Sequence, residues 1–313
     1  MVAEFPPKPP GLEPRRPAFL SGRESETLAW LARHRFLFQP HLAELLFGGS
    51  PHTPRSKRVL TQRVLDGLRQ RSLVAATQRL VGGPGGGSGR VGYFLTPRGA
   101  RLAATLVPGL PLRRDSAIRG TFLVGHAAMT ADVALAFRRA ARTRAGHELV
   151  DWECDWQAAL RLGSSTVIPD ARLVYRTAGY ELTAFIEIDL GTEGTRFFAR
   201  KVERYLDLYV SGDWRSYLSV WPLVLTVTPQ QSRASALRLA TESVLEAHGY
   251  GEADPIQFDF AAVGDVTGSN GPLGSVWQVA GRSGVHPLTP DGDDPASEEP
   301  LPDSAARQAE GSK

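Results

Sequence analysis

Cysteine is almost absent from this chain of 313 residues, which contains only Cys154. A single cysteine excludes an internal disulfide, and without cysteine pairs or a His-x-x-x-His spacing there is no structural zinc site to propose. Long apolar runs are also missing, since none approaches the roughly 18 residues of a membrane span. The first residues carry prolines where a secretory signal would need an apolar core. These absences predict a cytoplasmic protein without membrane contact, in which Cys154 is a buried, inert thiol.

Charge is divided unevenly along the chain. Residues 1–119 contain 19 Lys or Arg against 7 Asp or Glu, a net charge of +12, whereas residues 120–313 contain 17 against 26, a net charge of −9. Apolar residues make up 42% of the chain and charged residues 22%, as in a soluble globular protein, and the length suffices for two domains. The basic half is therefore predicted to meet a polyanion.

The two ends of the chain have the composition of disordered segments. Near the C-terminus the acidic residues lie among Pro, Gly and Ser, and such a sequence cannot bury enough apolar area to offset the entropy of ordering. We predict disorder over residues 1–18 and an extended, acidic, mostly disordered tail over residues 266–313. Residues 109–120 are predicted to form a linker between two folded domains.

Residues 19–108 show the periodicity of three helices followed by two strands. Ser21 is a candidate cap of the first helix, and the third helix, TPRSKRVLTQRVLDGLRQ, has a basic outer face. The two β-like segments flank VGGPGGGSG, which lacks the lysine and the following helix of a phosphate-binding loop. Thr96 and Pro97 fit the cap and the first position of a final helix.

This order resembles a winged helix-turn-helix domain, and YFLTPRGARLAATL is similar to the end of many winged-helix regulators. The resemblance implies that the third helix enters the major groove of double-stranded DNA while the hairpin reaches phosphates. The predicted DNA-binding residues are Arg55, Lys57, Arg58 and Arg63 of the helix and Arg79 and Arg90 of the hairpin. The alternative is a solvated basic face on a protein-docking domain.

Residues 121–265 predict an α/β domain with the order helix, three strands, helix, strand, helix, strand, the first three strands forming an antiparallel meander. TVIPDARLVY and YELTAFIEID are predicted strands. Alternation along the second places Glu187 and Asp189 on one face, near Asp170 on the first. These carboxylates could hold Mg²⁺ or Mn²⁺, and Lys201 on the following helix could face the metal. Taken singly, each is better explained as an ordinary turn or surface residue.

The pattern Pro169-Asp170 followed by Glu187-Ile188-Asp189 resembles the PD-(D/E)XK nuclease-like superfamily. The resemblance implies a restriction-endonuclease-like domain and an overall α+β fold class. It also implies Asp170, Glu187 and Lys201 as catalytic residues, with Asp170, Glu187 and Asp189 as metal ligands. The family motif has lysine where this chain has Asp189, so the lysine function would have moved to Lys201.

The chain also resembles the replication-relaxation family of plasmid and mobile-element proteins over roughly residues 20–265. The resemblance lies in the winged helix, the His126-x5-Asp132 spacing, the IPD and EID-x-GTE segments, and Lys201-x3-Tyr205. A relaxase of the histidine-ligand type would need a His-x-His cluster, which the sequence lacks, so Tyr205 and Tyr209 are predicted to be packing residues. His126 is predicted to be a helix cap or a core histidine.

Two hypotheses follow. In the first, the protein binds double-stranded DNA in replication, relaxation or transcription control of a plasmid or mobile element, and its nuclease-like domain serves assembly or recognition. In the second, it is a metal-dependent endonuclease or nickase that the winged helix brings to its site. Replication or conjugation proteins and a second copy of the chain are further candidate partners.

Overall fold

The computed structural model describes residues 19–77, 90–107, 109, 121–162, 165–251 and 254–288. The fold is α+β, as predicted. The helices are α1 (Gly22–His34), α2 (Gln39–Phe47), α3 (Pro54–Gln70), α4 (Pro97–Ala103), α5 (Thr121–Thr143), α6 (Asp155–Ala158), α7 (Thr195–Ser211), α8 (Gln231–Ala247) and α9 (Val263–Thr267). The strands are β1 (Leu37–Phe38), β2 (Val74–Ala76), β3 (Gly92–Leu95), β4 (Glu148–Cys154), β5 (Leu160–Leu162), β6 (Ser165–Val167), β7 (Ala171–Arg176), β8 (Glu181–Ile188), β9 (Leu223–Thr228), β10 (Phe258–Ala262) and β11 (Gln278–Val279).

The N-terminal region, residues 19–107, packs α1, α2 and α3 beside a small antiparallel sheet of order β1-β3-β2. Both predicted caps are confirmed, since the Ser21 side chain accepts a hydrogen bond at the start of α1 and Thr96 Oγ1 accepts one from the Gly99 amide, 3.0 Å away. Gly99 is required sterically, because a Cβ there would lie 1.9 Å from the Leu73 carbonyl oxygen. The predicted hairpin tip, with Arg79, lies outside the described residues.

The C-terminal region, residues 121–288, is built on a six-stranded sheet of order β11-β10-β9-β8-β7-β4. The antiparallel meander of β4, β7 and β8 confirms the prediction for the first three strands, and β9 and β10 then add in parallel. The prediction that TVIPDARLVY forms a single strand is wrong. It breaks around Pro169, and its first part, β6, pairs with β5 in a separate sheet.

Both faces of β8 are covered by helices. Ala184, Ile186 and Ile188 lie in a core with α5, whereas Phe185 lies in a second core with α7 and α8. Successive side chains of β8 therefore point alternately to two buried faces, as in strands that are covered on both sides. Glu187 has the parity of Phe185 and is consequently directed at α7 from within the protein.

The C-terminal region does not end at residue 265. Leu273, Val276, Trp277 and Leu288 belong to the core beside α5, and β11 pairs with the edge strand β10. The predicted tail boundary is therefore wrong for residues 266–288, which are part of the fold. Residues 289–313 lie outside the described part, as do residues 1–18 and most of the predicted linker.

Helix α5 packs against both regions. Ala131 and Leu135 belong to the N-terminal core, while Val133 and Phe137 belong to a C-terminal core. Polar contacts reinforce this junction: Asp132 Oδ1 lies 3.1 Å from His41 Nε2, and the guanidinium of Arg142 pairs with Glu44. Cys154 is buried, as predicted, with its Sγ 3.8 Å from His34 Nδ1 of α1. None of the helices described here is long and apolar enough to cross a membrane.

Candidate functional site

Asp170 is fixed between β6 and β7 by the neighbouring strand. Its amide donates to the Ile186 carbonyl (3.0 Å), and its Oδ2 accepts a hydrogen bond from the Ile188 amide (2.8 Å). Because Pro169 cannot donate a ladder hydrogen bond, the strand breaks here and the aspartate turns back onto β8. The carboxylate is thereby held beside the C-terminal end of β8.

Glu187 is buried, with 1% of its surface exposed, and α7 supplies a donor to each carboxylate oxygen. The Lys201 ammonium forms an ion pair with Oε2, and the Tyr205 hydroxyl donates to Oε1 over 2.6 Å. Lys201 and Tyr205 are four residues apart and so lie on one face of α7, as the sequence predicts. Tyr205 is buried, but its hydrogen bond makes it more than the packing residue that the sequence predicts. Tyr209 does pack, against Trp214 and Trp221.

His126 completes the cluster, which the sequence does not predict. It lies within α5, five residues past the start, and its Nε2 is 3.1 Å from Asp170 Oδ2. The interpretation as a helix cap is therefore wrong, because the helix begins earlier than expected. The His126-x5-Asp132 spacing singles out His126 in the sequence, but it does not reveal that Asp170 is its partner.

Burial and pairing set the proton affinities of this cluster. Burial raises the pKa of Glu187 to about 7, although Lys201 and the Tyr205 hydrogen bond oppose the shift. Burial also acts to raise the pKa of Asp170, but the hydrogen bond and charge of His126, with Lys201 and the Ile188 amide, outweigh it and leave that pKa below its usual value. The pKa of Lys201 is raised, since Glu187 and Asp170 outweigh the effect of burial.

Asp189 follows β8 but has a different partner. Both of its oxygens receive hydrogen bonds from Arg233 at the start of α8, each over 2.8 Å, and Oδ1 also accepts from the Gly191 amide. The bidentate pair raises the pKa of Arg233. Asp189 is therefore engaged by α8, while Glu187 is engaged by α7.

The three carboxylates predicted as metal ligands receive most of their contacts from protein donors in this arrangement. Protein donors occupy both oxygens of Glu187 and of Asp189 and Oδ2 of Asp170. Within the described residues no group of three or more His, Cys, Asp or Glu side chains is placed to hold a metal ion. The Lys201 ammonium supplies the positive charge that a buried glutamate requires.

The predicted DNA-binding residues of α3 divide into two groups. Arg55, Arg58 and Arg63 are exposed, and the described part of the structure records no ion pair for them. Lys57 is half-buried, and its ammonium donates to the Gly48 carbonyl at the end of α2 (3.2 Å). Arg90, at the start of the returning hairpin segment, is exposed and its guanidinium lies 5.9 Å from the Phe38 ring centre.

These features define a class of protein: an α+β chain that joins a small helical region with an exposed basic helix to a sheet region with a buried carboxylate–lysine cluster. The chain belongs to the replication-relaxation family, which it matches over residues 28–224, more than half of its length. This confirms the family predicted from the sequence and indicates a role in replication or relaxation of a plasmid or mobile element. No curated protein and no solved structure matches the chain.

Proposed function

We propose that this protein binds double-stranded DNA through α3, as a winged helix-turn-helix domain, and acts in the replication, relaxation or transcription control of a plasmid or mobile element. The observation that carries the proposal is the row of exposed guanidinium groups at Arg55, Arg58 and Arg63. Thr61, Leu65 and Leu68 are buried, which directs the opposite face of α3, with Arg55 and Arg63, outward, while Arg58 is exposed at the edge of the buried face.

The basic row has the chemistry that a DNA-reading helix requires. Guanidinium groups bind phosphates and the guanine edge bidentately, and the N-terminal part of a recognition helix lies nearest the bases. Val59, 45% exposed, lies among these arginines and offers an apolar surface suited to a thymine methyl group.

The test measures binding of the full-length protein to a duplex of about 30 base pairs, roughly three helical turns, by fluorescence anisotropy over a range of salt concentrations. We expect Arg55→Gln, Arg58→Gln and Arg63→Gln each to weaken binding and to reduce the log–log salt slope by about 0.9 for each phosphate that is no longer neutralised. Lys57→Gln is the matched control, since it removes the same charge from the same helix but from a side chain bound to Gly48. Absence of duplex binding by the unmodified protein at low salt would refute the proposal.

A second candidate function is that of a metal-dependent endonuclease. One observation favours it: the fold brings Asp170, Glu187 and Lys201, the residues that the PD-(D/E)XK resemblance implies, into one cluster. The engagement of the carboxylates by protein donors opposes it. The test is to incubate supercoiled plasmid with the protein and Mg²⁺ or Mn²⁺ and to measure nicking. Nicking that disappears in both Asp170→Asn and Lys201→Ala would support the enzyme, and its absence would leave the DNA-binding protein.

A further inference from the structure

A row of three arginines follows the outer face of α7, on the C-terminal region. Arg196, Arg200 and Arg204 are four residues apart and exposed. Phe197 is 46% exposed, and the Arg200 guanidinium lies 5.6 Å from its ring centre. The inner face of the same helix holds Lys201 and Tyr205 against Glu187, so the row adjoins the carboxylate–lysine cluster.

Helix stability does not explain this row. Like charges four residues apart on a helix repel one another, and Arg196 lies in the first turn, where a cation is disfavoured by the helix dipole. Glu193, Glu203 and Asp207 are the nearby acids in the sequence, yet the described residues show no ion pair between any of them and the row. The arrangement thus costs the isolated helix stability, and an external anion would offset that cost.

We propose that the outer face of α7 is a second contact surface for duplex DNA, which engages the phosphates of one strand. Successive arginines of the row are separated by about 6 Å along the helix axis. Neighbouring phosphates of one DNA strand rise by about 3.4 Å along the duplex and turn by about 35° around it, so they lie about 6–7 Å apart in space. The match in spacing favours a regular polyanion over a single small anion. This inference rests on the proposed DNA-binding function and assigns the C-terminal region a share in it.

The experiment compares the salt dependence of duplex binding by the full-length protein and by two triple variants. In the test variant Arg196, Arg200 and Arg204 are each replaced by Gln, and we expect the log–log slope to become less steep by about 2.7, or 0.9 for each of three phosphates. The control variant replaces Arg176, Arg215 and Arg238 by Gln. It makes the same change in net charge at arginines that are held by Glu148, the Trp214 ring and Glu242.

A third variant, with the three α7 arginines replaced by Lys, keeps the charge and should keep the slope. Circular dichroism before titration checks that each variant is folded. If the unmodified protein binds duplex DNA and the α3 variants weaken it, but the α7 test variant matches its control, the inference about α7 is wrong while the proposed function stands. If the unmodified protein does not bind duplex DNA, the proposed function itself fails.

Discussion

Replacing Lys201 by Met should destabilise the protein more above neutral pH than below it. The methionine keeps the length of the side chain and removes the cation that faces Glu187. In the unmodified protein burial already raises the pKa of Glu187 to about 7 against the opposing effect of Lys201. Removing Lys201 raises that pKa further, because Lys201 has the largest effect that favours the ionised carboxylate, while the Tyr205 hydrogen bond remains.

The sign and size of this change in stability follow from the linkage between proton binding and folding. A carboxyl whose pKa in the folded state exceeds its unfolded value of about 4.3 loses stabilisation as the pH rises, until it ionises in the folded state as well. In the unmodified protein this loss stops near pH 7, whereas in the variant it continues at about 1.4 kcal/mol per pH unit. The loss of stability in the variant, relative to the unmodified protein, should therefore be greater by about 2 kcal/mol at about pH 8.5 than at about pH 5.5. This is below the 3–5 kcal/mol of a fully buried pair, roughly as expected because 29% of the Lys201 side chain is exposed.

The assay is urea unfolding followed by circular dichroism at the two pH values. Arg204→Met controls for loss of a cation from α7, since Arg204 is exposed, and should show no such pH dependence. The double variant Glu187→Gln/Lys201→Met removes the titrating group and should abolish the difference between the two pH values. Equal destabilisation by Lys201→Met at both values would refute the reasoning, because the ion pair would then not depend on ionisation of Glu187.

Two further predictions concern other buried groups. Burial raises the pKa of Asp259 on β10 to about 7, against the hydrogen bonds from Gln257 Nε2, so this carboxyl costs stability increasingly from about pH 4 to pH 7. Relative to the unmodified protein, Asp259→Asn should gain about 4 kcal/mol more stability at about pH 8 than at about pH 4, from about 1.4 kcal/mol per pH unit over about three units, and an equal effect at both values would contradict this. A chain that ends at residue 265 loses Trp277 and β11 and should be less stable by at least about 4 kcal/mol, whereas a chain that ends at residue 288 should unfold with an unchanged midpoint. Cooperative unfolding of the shorter chain at the full-length midpoint would show that residues 266–288 do not stabilise the core.

Local patterns are sufficient to predict much of the N-terminal region and the helix that carries Lys201. Caps at Ser21 and Thr96, the basic face of α3 and the shared face of Lys201 and Tyr205 all depend on residues within a few positions of one another. Such signals are carried by short-range geometry, which the sequence displays directly.

The partners of the carboxylates are beyond local reasoning. His126 reaches Asp170 across 44 positions, and Arg233 reaches Asp189 across the same separation, so no periodicity relates them. Each acid of the cluster has a cationic or hydrogen-bonding partner from a distant helix, which offsets the repulsion between the carboxylates. Residues 266–288 escape prediction for a related reason: Leu273, Val276 and Trp277 are irregularly spaced among Gly and Ser, and only the edge strand β10 and α5 give them a place to pack.

Helix α5 gives the His126-x5-Asp132 spacing a physical meaning. The two residues are six positions apart, so their side chains are separated by about 9 Å along the helix axis and point in directions about 120° apart around it. His126 is thereby directed to Asp170 of the C-terminal region, and Asp132 to His41 of the N-terminal region. Since residues between them enter both hydrophobic cores, the helix cannot shift against one region without disturbing its contacts with the other. A duplex bound at α3 and α7 would thus meet two surfaces whose relative position is fixed by α5, so that a preferred DNA path over the protein would be set by this helix.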